Sequence, residues 1–344
     1  MTLRIGLIGA GRMGAALAHH LAYSVEAADF VAIADPDEES RLTMGQRFGV
    51  PQVYASHRQL LDESGVDAVV IVTPTSTHVE VVCDAAAAGK HIFVEKPLAL
   101  TVEGCDEAIA AADANGVRLQ VGFMRRFDPA YVAAKEKIDA GLIGSPVMFK
   151  STGRDPWRTS LKYARREASG GLILDMAIHD FDAARWLMDS DVERTYSEGG
   201  CLVFPELAEA GDIDNAVVNL KFFNGAIGNV DVSRNAIYGY DIRTEVIGSE
   251  GSVMIGDLKG TALLTLTKNS VAHDTIPGFM ARFANAYAAE LRAFVSAVLE
   301  DRDVPISGRD ARAATAIGIA ATRSFDEQRP VFLSEVERPV PQGG

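Results

Sequence analysis

The run Gly9-Ala10-Gly11-Arg12-Met13-Gly14 constrains this chain more than any other feature, because it directly follows the apolar run Arg4 to Ile8 and opens the helical stretch Met13 to Tyr23. In a loop, G-x-G-x-x-G means little; between a buried strand and a helix it is the turn of a βαβ unit that cradles a dinucleotide pyrophosphate. Gly9 permits the tight turn, Gly11 lets backbone approach the ligand, and Gly14 lets helix and strand pack closely. Arg12 and Met13 lie in the same turn, where the helix start offers N–H donors and a positive partial charge. The next strand, Phe30 to Ala34, ends at Asp35, 21 residues beyond Gly14. An acid there accepts from the ribose hydroxyls and repels a 2′-phosphate, so NAD is expected over NADP. The plainer alternative is a glycine turn with no ligand and an Asp that only opens the Asp35-Pro36-Asp37 turn; strand, helix and acid falling in register weigh against it.

The same rhythm continues through Gln52 to Tyr54, Ala68 to Val72, His91 to Val94 and Arg118 to Phe123, with helical stretches between, including Val79 to Ala88 and Val102 to Asn115. Continuously apolar strands indicate a parallel sheet covered on both faces. Residues 1–123 therefore read as an N-terminal Rossmann domain with a doubly wound parallel sheet. Residues 124–338 read as a substrate-binding and oligomerisation domain of α+β type with a large, mostly antiparallel open sheet of about five or six strands. Asn224-Gly225, between Val217 to Phe223 and Ala226 to Val232, is a strong hairpin cue. Arg243 to Ile247, Ser252 to Ile255 and Ala262 to Thr267 add strands, helical patterns return at Ala281 to Leu299 and Gly308 to Ser324, and the tail after Glu335 is expected to be loose.

At 344 residues, two domains with separate cores are expected, and 48% apolar with 23% charged residues is the profile of a globular protein. The net charge, 33 − 47 = −14, disfavours nucleic acid and anionic membrane as partners and points to a small molecule. Cys83, Cys105 and Cys201 form no C-x-x-C pair, so neither a disulfide framework nor a thiolate metal site is expected. No secretory segment and no run near the ~18 apolar residues of a membrane span are read, giving a cytoplasmic expectation.

Ligands on such sheets sit at the carboxyl edges of strands. Thr73-Pro74-Thr75-Ser76-Thr77-His78 follows one of these strands, and Thr73, Pro74 and His78 are expected beneath the ribose and nicotinamide; Thr77 also suits the N-cap of the following helix. Glu95-Lys96-Pro97 follows the next strand, placing Lys96 beside the nicotinamide. Farther on, Asp175 and His179 are four apart in a helical stretch, hence on one face. A His beside a carboxylate has the parts of a general base. A capping Asp with a buried, satisfied His is the competing reading, and no further ligand clusters nearby to make a metal site.

Together with Val121-Gly122-Phe123-Met124-Arg125-Arg126-Phe127 and Ser169-Gly170-Gly171, these motifs resemble the Gfo/Idh/MocA oxidoreductases, and within them the inositol 2-dehydrogenases, over essentially the whole chain. The resemblance implies NAD-linked oxidation of a ring hydroxyl to a ketone, a C-terminal α/β domain whose last helices pack back on the Rossmann domain, and a homotetramer formed through the open sheet. It places Lys96, Asp175 and His179 on the family's catalytic Lys, Asp and His. It implies myo-inositol as first substrate, yielding 2-keto-myo-inositol, with scyllo-inositol or an aldose next; a glycosidase that retains its hydride on NAD is the alternative of another class. Selecting a polyol from water takes many hydrogen bonds, for which Arg126, Asp155, Arg158 and Tyr238 are further candidates. Val218, Leu220 and Phe222 are expected on the open sheet face that assembly would cover.

Overall fold

A computed structural model describes residues 2–337, which divide into two compact units. Unit 1 comprises the chain up to Phe127 together with Asn285–Ala313; unit 2 comprises Asp128–Ala284 and the chain from Ala314 on. The expectation for the tail after Glu335 falls mainly on residues 338–344, outside the described residues. Among the described residues no helix is long and apolar enough to cross a membrane.

In unit 1, strands β1 (Leu3–Ile8), β2 (Ala28–Ala34), β3 (Gln52–Tyr54), β4 (Ala68–Ile71), β5 (His91–Glu95) and β6 (Leu119–Gly122) form one sheet in the order β3-β2-β1-β4-β5-β6, every pair parallel. The crossovers are α1 (Arg12–Tyr23), α2 (Glu38–Phe48), α3 (His57–Glu63), α4 (His78–Ala87) and α5 (Val102–Ala114). Their starts follow from sequence: Asp37, Ser56 and Thr101 each accept a first-turn N–H of α2, α3 and α5. The four residues of β4 are all buried, as a strand covered on both faces must be. Strand order reverses between β1 and β4, so the loops at Gly9 and Thr73 leave the sheet on either side of its switch point, where a ligand finds a crevice.

Unit 2 contains α6 (Pro129–Asp139), β7 (Pro146–Arg154), the short α7 (Leu161–Ala164) and α8 (Arg166–Ser169), α9 (Gly171–Met188), β8 (Val192–Gly200), β9 (Asn215–Phe222), β10 (Ile227–Ser233), β11 (Asp241–Gly248) and β12 (Ser252–Ile255). Beyond them lie β13 (Thr265–Leu266), β14 (Val271–Ala272), α10 (Phe279–Leu299), α11 (Gly308–Glu327) and β15 (Val331–Phe332). Seven strands form the main sheet, in the order β12-β11-β7-β10-β9-β8-β15; only the β7–β10 pair is parallel. The Asn224-Gly225 hairpin joins β9 and β10: Gly225 takes φ +91°, and the Asn224 side chain accepts the Ala226 N–H at 3.0 Å. Ala262 to Thr267 is not a strand of this sheet. Only Thr265–Leu266 pairs, with Val271–Ala272, in an exposed two-stranded ribbon whose opposed Leu266 and Val271 are left uncovered.

Helix α9 covers one face of the sheet through β7, β9 and β10. This overturns one expectation: Val218, Leu220 and Phe222 face inward and are buried. The strand alternates, so the open face carries Val217, Asn219 and Lys221 instead. That face is laced with cross-strand polar pairs, including Arg154–Asp231 and Lys150–Glu245. The 285–313 segment completes unit 1, setting Phe294 edge-on to Phe93 with ring centroids 5.9 Å apart, both fully buried.

The glycine turn separates two roles. A Cβ on Gly14 would lie 2.1 Å from the carbonyl oxygen of Gly9, and one on Gly9, at φ +109°, would lie 2.8 Å from the Val72 backbone. A Cβ on Gly11 would meet nothing within 4 Å. Gly14→Ala is therefore expected to destabilise the fold by about 1–3 kcal/mol, read as a lowered Tm without cofactor. Gly11→Ala should leave that Tm unchanged and weaken NAD binding in a titration; equal effects on both properties would contradict the assignment.

Candidate active site

The residues around the glycine turn fit NAD. Open space over Gly11 admits a pyrophosphate, and the N-terminus of α1 lacks a side-chain cap, leaving its first N–H groups for a ligand. Asp35 is fixed by two backbone donors: Oδ2 accepts Ala10 N–H at 2.6 Å and Oδ1 accepts Asp37 N–H at 2.8 Å. Each carboxylate oxygen has a second lone pair, so capacity remains for the ribose hydroxyls. Arg12 is exposed and Met13 half-buried at the helix start.

The loop after β4 is organised from within. Thr77 caps no helix N–H with its side chain; its hydroxyl turns back to the Pro74 carbonyl at 2.8 Å and to the Thr73 hydroxyl at 2.9 Å. His78 is buried, with Nδ1 2.8 Å from the Pro97 carbonyl oxygen and Nε2 2.9 Å from that of Thr73. Both ring nitrogens thus face backbone carbonyls, and the neutral ring donates its single N–H to one of them, placing His78 between the loop carrying Thr73 and Pro74 and the one carrying Lys96. Burial pushes its pKa down, the carbonyls of Pro97 and Thr73 oppose this, and Lys96 adds to the fall.

Lys96 is half-buried just past the carboxyl end of β5. Beside it the Glu95 side chain is buried: Oε2 accepts the Lys96 N–H at 3.2 Å and Oε1 has no hydrogen-bond partner among the described residues. Burial pushes Glu95 up to about 7, against the pull of Lys96. Glu290, on the part of α10 that belongs to unit 1, is also fully buried, with neither carboxyl oxygen hydrogen-bonded among the described residues. Its pKa is raised well above the ordinary value, by burial first and then by Glu95. Gln120 donates to the Glu290 backbone carbonyl at 3.1 Å. Arg126 is ion-paired with Asp310 at 3.2 Å. Elsewhere in unit 1, His57, Glu80 and Asp84 could group around a cation, but Arg58 already bonds both carboxylates.

In unit 2, α9 carries Asp175 and His179 one turn apart. Gly170 and Gly171, at φ +83° and +77°, turn the chain into this helix and offer no side-chain cap. Asp212 supplies one instead, its Oδ1 accepting Leu172 N–H at 2.7 Å. Asp175 is buried; its Oδ1 accepts the Tyr163 hydroxyl at 3.0 Å and its Oδ2 accepts Arg234 Nη2 at 3.3 Å. Arg234 Nη1 donates to Asp212 Oδ2 at 2.7 Å. Tyr163, Asp212 and Arg234 were not foreseen from sequence; the Gly-Gly turn was the only signal that something approaches the helix start closely. Ser151 donates to Asp180, tying α9 to β7.

The further substrate candidates separate. Asp155 is held by backbone bonds to Ser233 and Ala236, beside the turn that bears Arg234. Arg158 pairs with Glu206 at 3.2 Å. The Tyr238 hydroxyl donates to Asp241 at 2.9 Å and accepts from Arg154 at 3.2 Å, lining a depression of about 650 Å³ with Arg154, Glu198, Val217 and Asp231.

Residues 3–123 match the family model for the NAD-binding Rossmann fold of an oxidoreductase family, and residues 135–333 match that family's C-terminal alpha/beta domain. The chain is 40% identical over 331 residues to a scyllo-inositol 2-dehydrogenase (NAD(+)) of Bacillus subtilis, covering 96% of each. It is 39% identical to a myo-inositol 2-dehydrogenase of Thermotoga maritima, covering 97% of this chain and 99% of that one. The crystal structure of scyllo-inositol dehydrogenase from Lactobacillus casei with bound NAD(H) and scyllo-inositol superposes with a TM-score of 0.93 at 29% identity, covering 97% of this chain and 100% of that one.

Glu95 and Glu290 make stability depend on pH with a definite sign. A carboxyl whose pKa is higher in the folded chain binds its proton more tightly there, so its contribution is greatest at low pH. That contribution falls as pH rises above the ordinary carboxyl range, for Glu95 through about 7. Glu290→Gln removes one such group. Its Tm relative to wild type should rise between pH 5 and pH 8; a constant difference across that range would contradict the buried-acid account.

Proposed function

The chain belongs to the Gfo/Idh/MocA oxidoreductase family and is an NAD-dependent dehydrogenase acting on a CH–OH group, and from that premise we propose that it oxidises a ring hydroxyl of a cyclitol to the ketone. Myo-inositol, giving 2-keto-myo-inositol, is the first substrate; scyllo-inositol stands beside it because the Bacillus subtilis relative at 40% identity bears that name. The observation that carries the reading is the pairing of a buried, doubly bonded Asp175 with a half-buried His179 one turn on.

NAD supplies the hydride acceptor. His179 takes the proton of the reacting hydroxyl as general base and passes it on to solvent. Lys96 hydrogen-bonds the same oxygen and holds it while the carbon loses hydride. Asp175 orients His179 and accepts a hydrogen bond from a neighbouring hydroxyl, with Arg126, Asp155, Arg158 and Tyr238 as further contacts. Loss of one hydride to NAD and one proton to His179 turns the secondary alcohol into a ketone, so the reaction balances with NAD as the oxidant. Gly9, Gly11, Arg12, Met13, Gly14, Asp35, Thr73, Pro74 and the Glu95-Lys96 turn serve the cofactor, His78 through its two loop contacts.

NADH formation at 340 nm across myo-, scyllo- and chiro-inositol, D-glucose, D-xylose and D-galactose tests this reading. Turnover of an inositol with NAD is expected, and His179→Ala should lower kcat by about 10²-fold or more with NAD affinity nearly unchanged. Near-normal turnover of that variant would remove the base assignment.

Assembly is proposed as a homotetramer using the open sheet face, where Val217, Ile227 and Met254 are exposed among paired charges. Val217→Asp, placed opposite Asp231, puts like charges together there. Light scattering should give four chains for the wild type and fewer for the variant; a monomeric wild type would overturn the proposal.

A further inference from the structure

We propose that Arg234, acting with Asp212, is a positioning residue that indexes Asp175 to the end of the sheet in unit 2; this rests on the reading of Asp175 as a substrate-binding group. Arg234 follows β10 directly, is 2% exposed, and is anchored by its own N–H to the Asp214 carbonyl at 2.9 Å. Its guanidinium is a rigid planar fork, and two arms of that fork meet two carboxylates: Nη1 to Asp212 at 2.7 Å and Nη2 to Asp175 at 3.3 Å.

Asp212 has a second task. Its other oxygen closes the first turn of α9 at Leu172 N–H, so one carboxylate joins the guanidinium to the start of the helix that carries Asp175. The approach is close enough that a Cβ on Gly171 would lie 2.8 Å from Asp212 Oδ1. Helix start and catalytic carboxylate are therefore referenced to the same side chain. Tyr163 holds the remaining side of Asp175, but it is 42% exposed and stands on the short α7, whereas Arg234 is fixed in the interior.

Tyr163 engages one Asp175 oxygen and Arg234 the other, which fixes the orientation in which the carboxylate meets a substrate hydroxyl. Removing the fork would leave two carboxylates facing each other out of water and let Asp175 swing. A displacement of about 1 Å in such a group is enough to cost about 10²-fold in rate.

The test is a double-mutant cycle on the polyol that the wild type turns over. Arg234→Lys keeps the charge and loses the fork; it should lower kcat by about 10- to 100-fold, with the NAD dissociation constant and Tm close to wild type. In an Asp175→Asn background the same substitution should cost less than about twofold, because a residue acting through Asp175 loses its effect once the carboxylate is gone. Independent, multiplying losses in the two backgrounds would overturn the proposal, as would unchanged kcat in Arg234→Lys. If Arg234→Lys does not fold, Asp212→Asn takes its place in the cycle, since Leu172 and Arg234 bond different oxygens of Asp212 and the amide puts an NH2 donor in the place of one of them. A wild type that turns over no polyol overturns the functional reading alone. The cycle is then read from the ring chemical shifts of His179, which Arg234→Lys should move in the wild-type background and not in Asp175→Asn; equal movement in both would sink the positioning role by itself.

Discussion

Helix α9 begins at two glycines and has no side chain of its own to close its first turn, so its position depends on Asp212, forty residues along the chain. An uncapped buried helix start leaves N–H donors without partners, each costing about 1–3 kcal/mol. Here one carboxylate meets that need and binds a buried arginine at the same time. Asp175 inherits its place from this arrangement, and His179 follows one turn later. The glycines are part of the same constraint: only without a Cβ at 171 can the carboxylate come so near.

Unit 1 rests on a comparable economy of backbone. The glycine turn brings α1 against β1 so closely that a methyl at Gly14 has no room, and Asp35 holds the turn from β2 by accepting the Ala10 N–H. His78 then joins the turn after β4 to the turn after β5. Three successive strand ends are shaped by short polar contacts within the protein. What stays open toward a ligand is backbone at Gly11 and the remaining lone pairs of Asp35.

Local pattern made most of this legible in the sequence. The Gly9 to Gly14 turn, the apolar strands of unit 1 and the Asn224-Gly225 hairpin are each written in a few contiguous residues, and each appears where the pattern put it. The i, i+4 pairing of Asp175 and His179 is equally local. Contacts bridging distant segments were not legible: Arg234 to Asp175 spans 59 residues, and Leu172 to Asp212 spans 40. Alternation alone also fails to say which side of a sheet a helix will cover, which is why Val218, Leu220 and Phe222 were assigned to the wrong face. Ala262 to Thr267 reads as a strand by composition but pairs only in a separate exposed ribbon, since propensity alone does not place a segment in a sheet.

The double duty of Asp35 bears on coenzyme engineering. Exchanging this acid to admit a 2′-phosphate also removes the acceptor that holds Ala10 N–H, so the loop that must grip the pyrophosphate loosens as the ribose site changes. On the proposed role of Asp35 at the ribose, coenzyme preference and loop rigidity are coupled through one carboxylate. A redesign that keeps a hydroxyl or amide oxygen facing Ala10, and places its new positive charge elsewhere along the loop, separates the two.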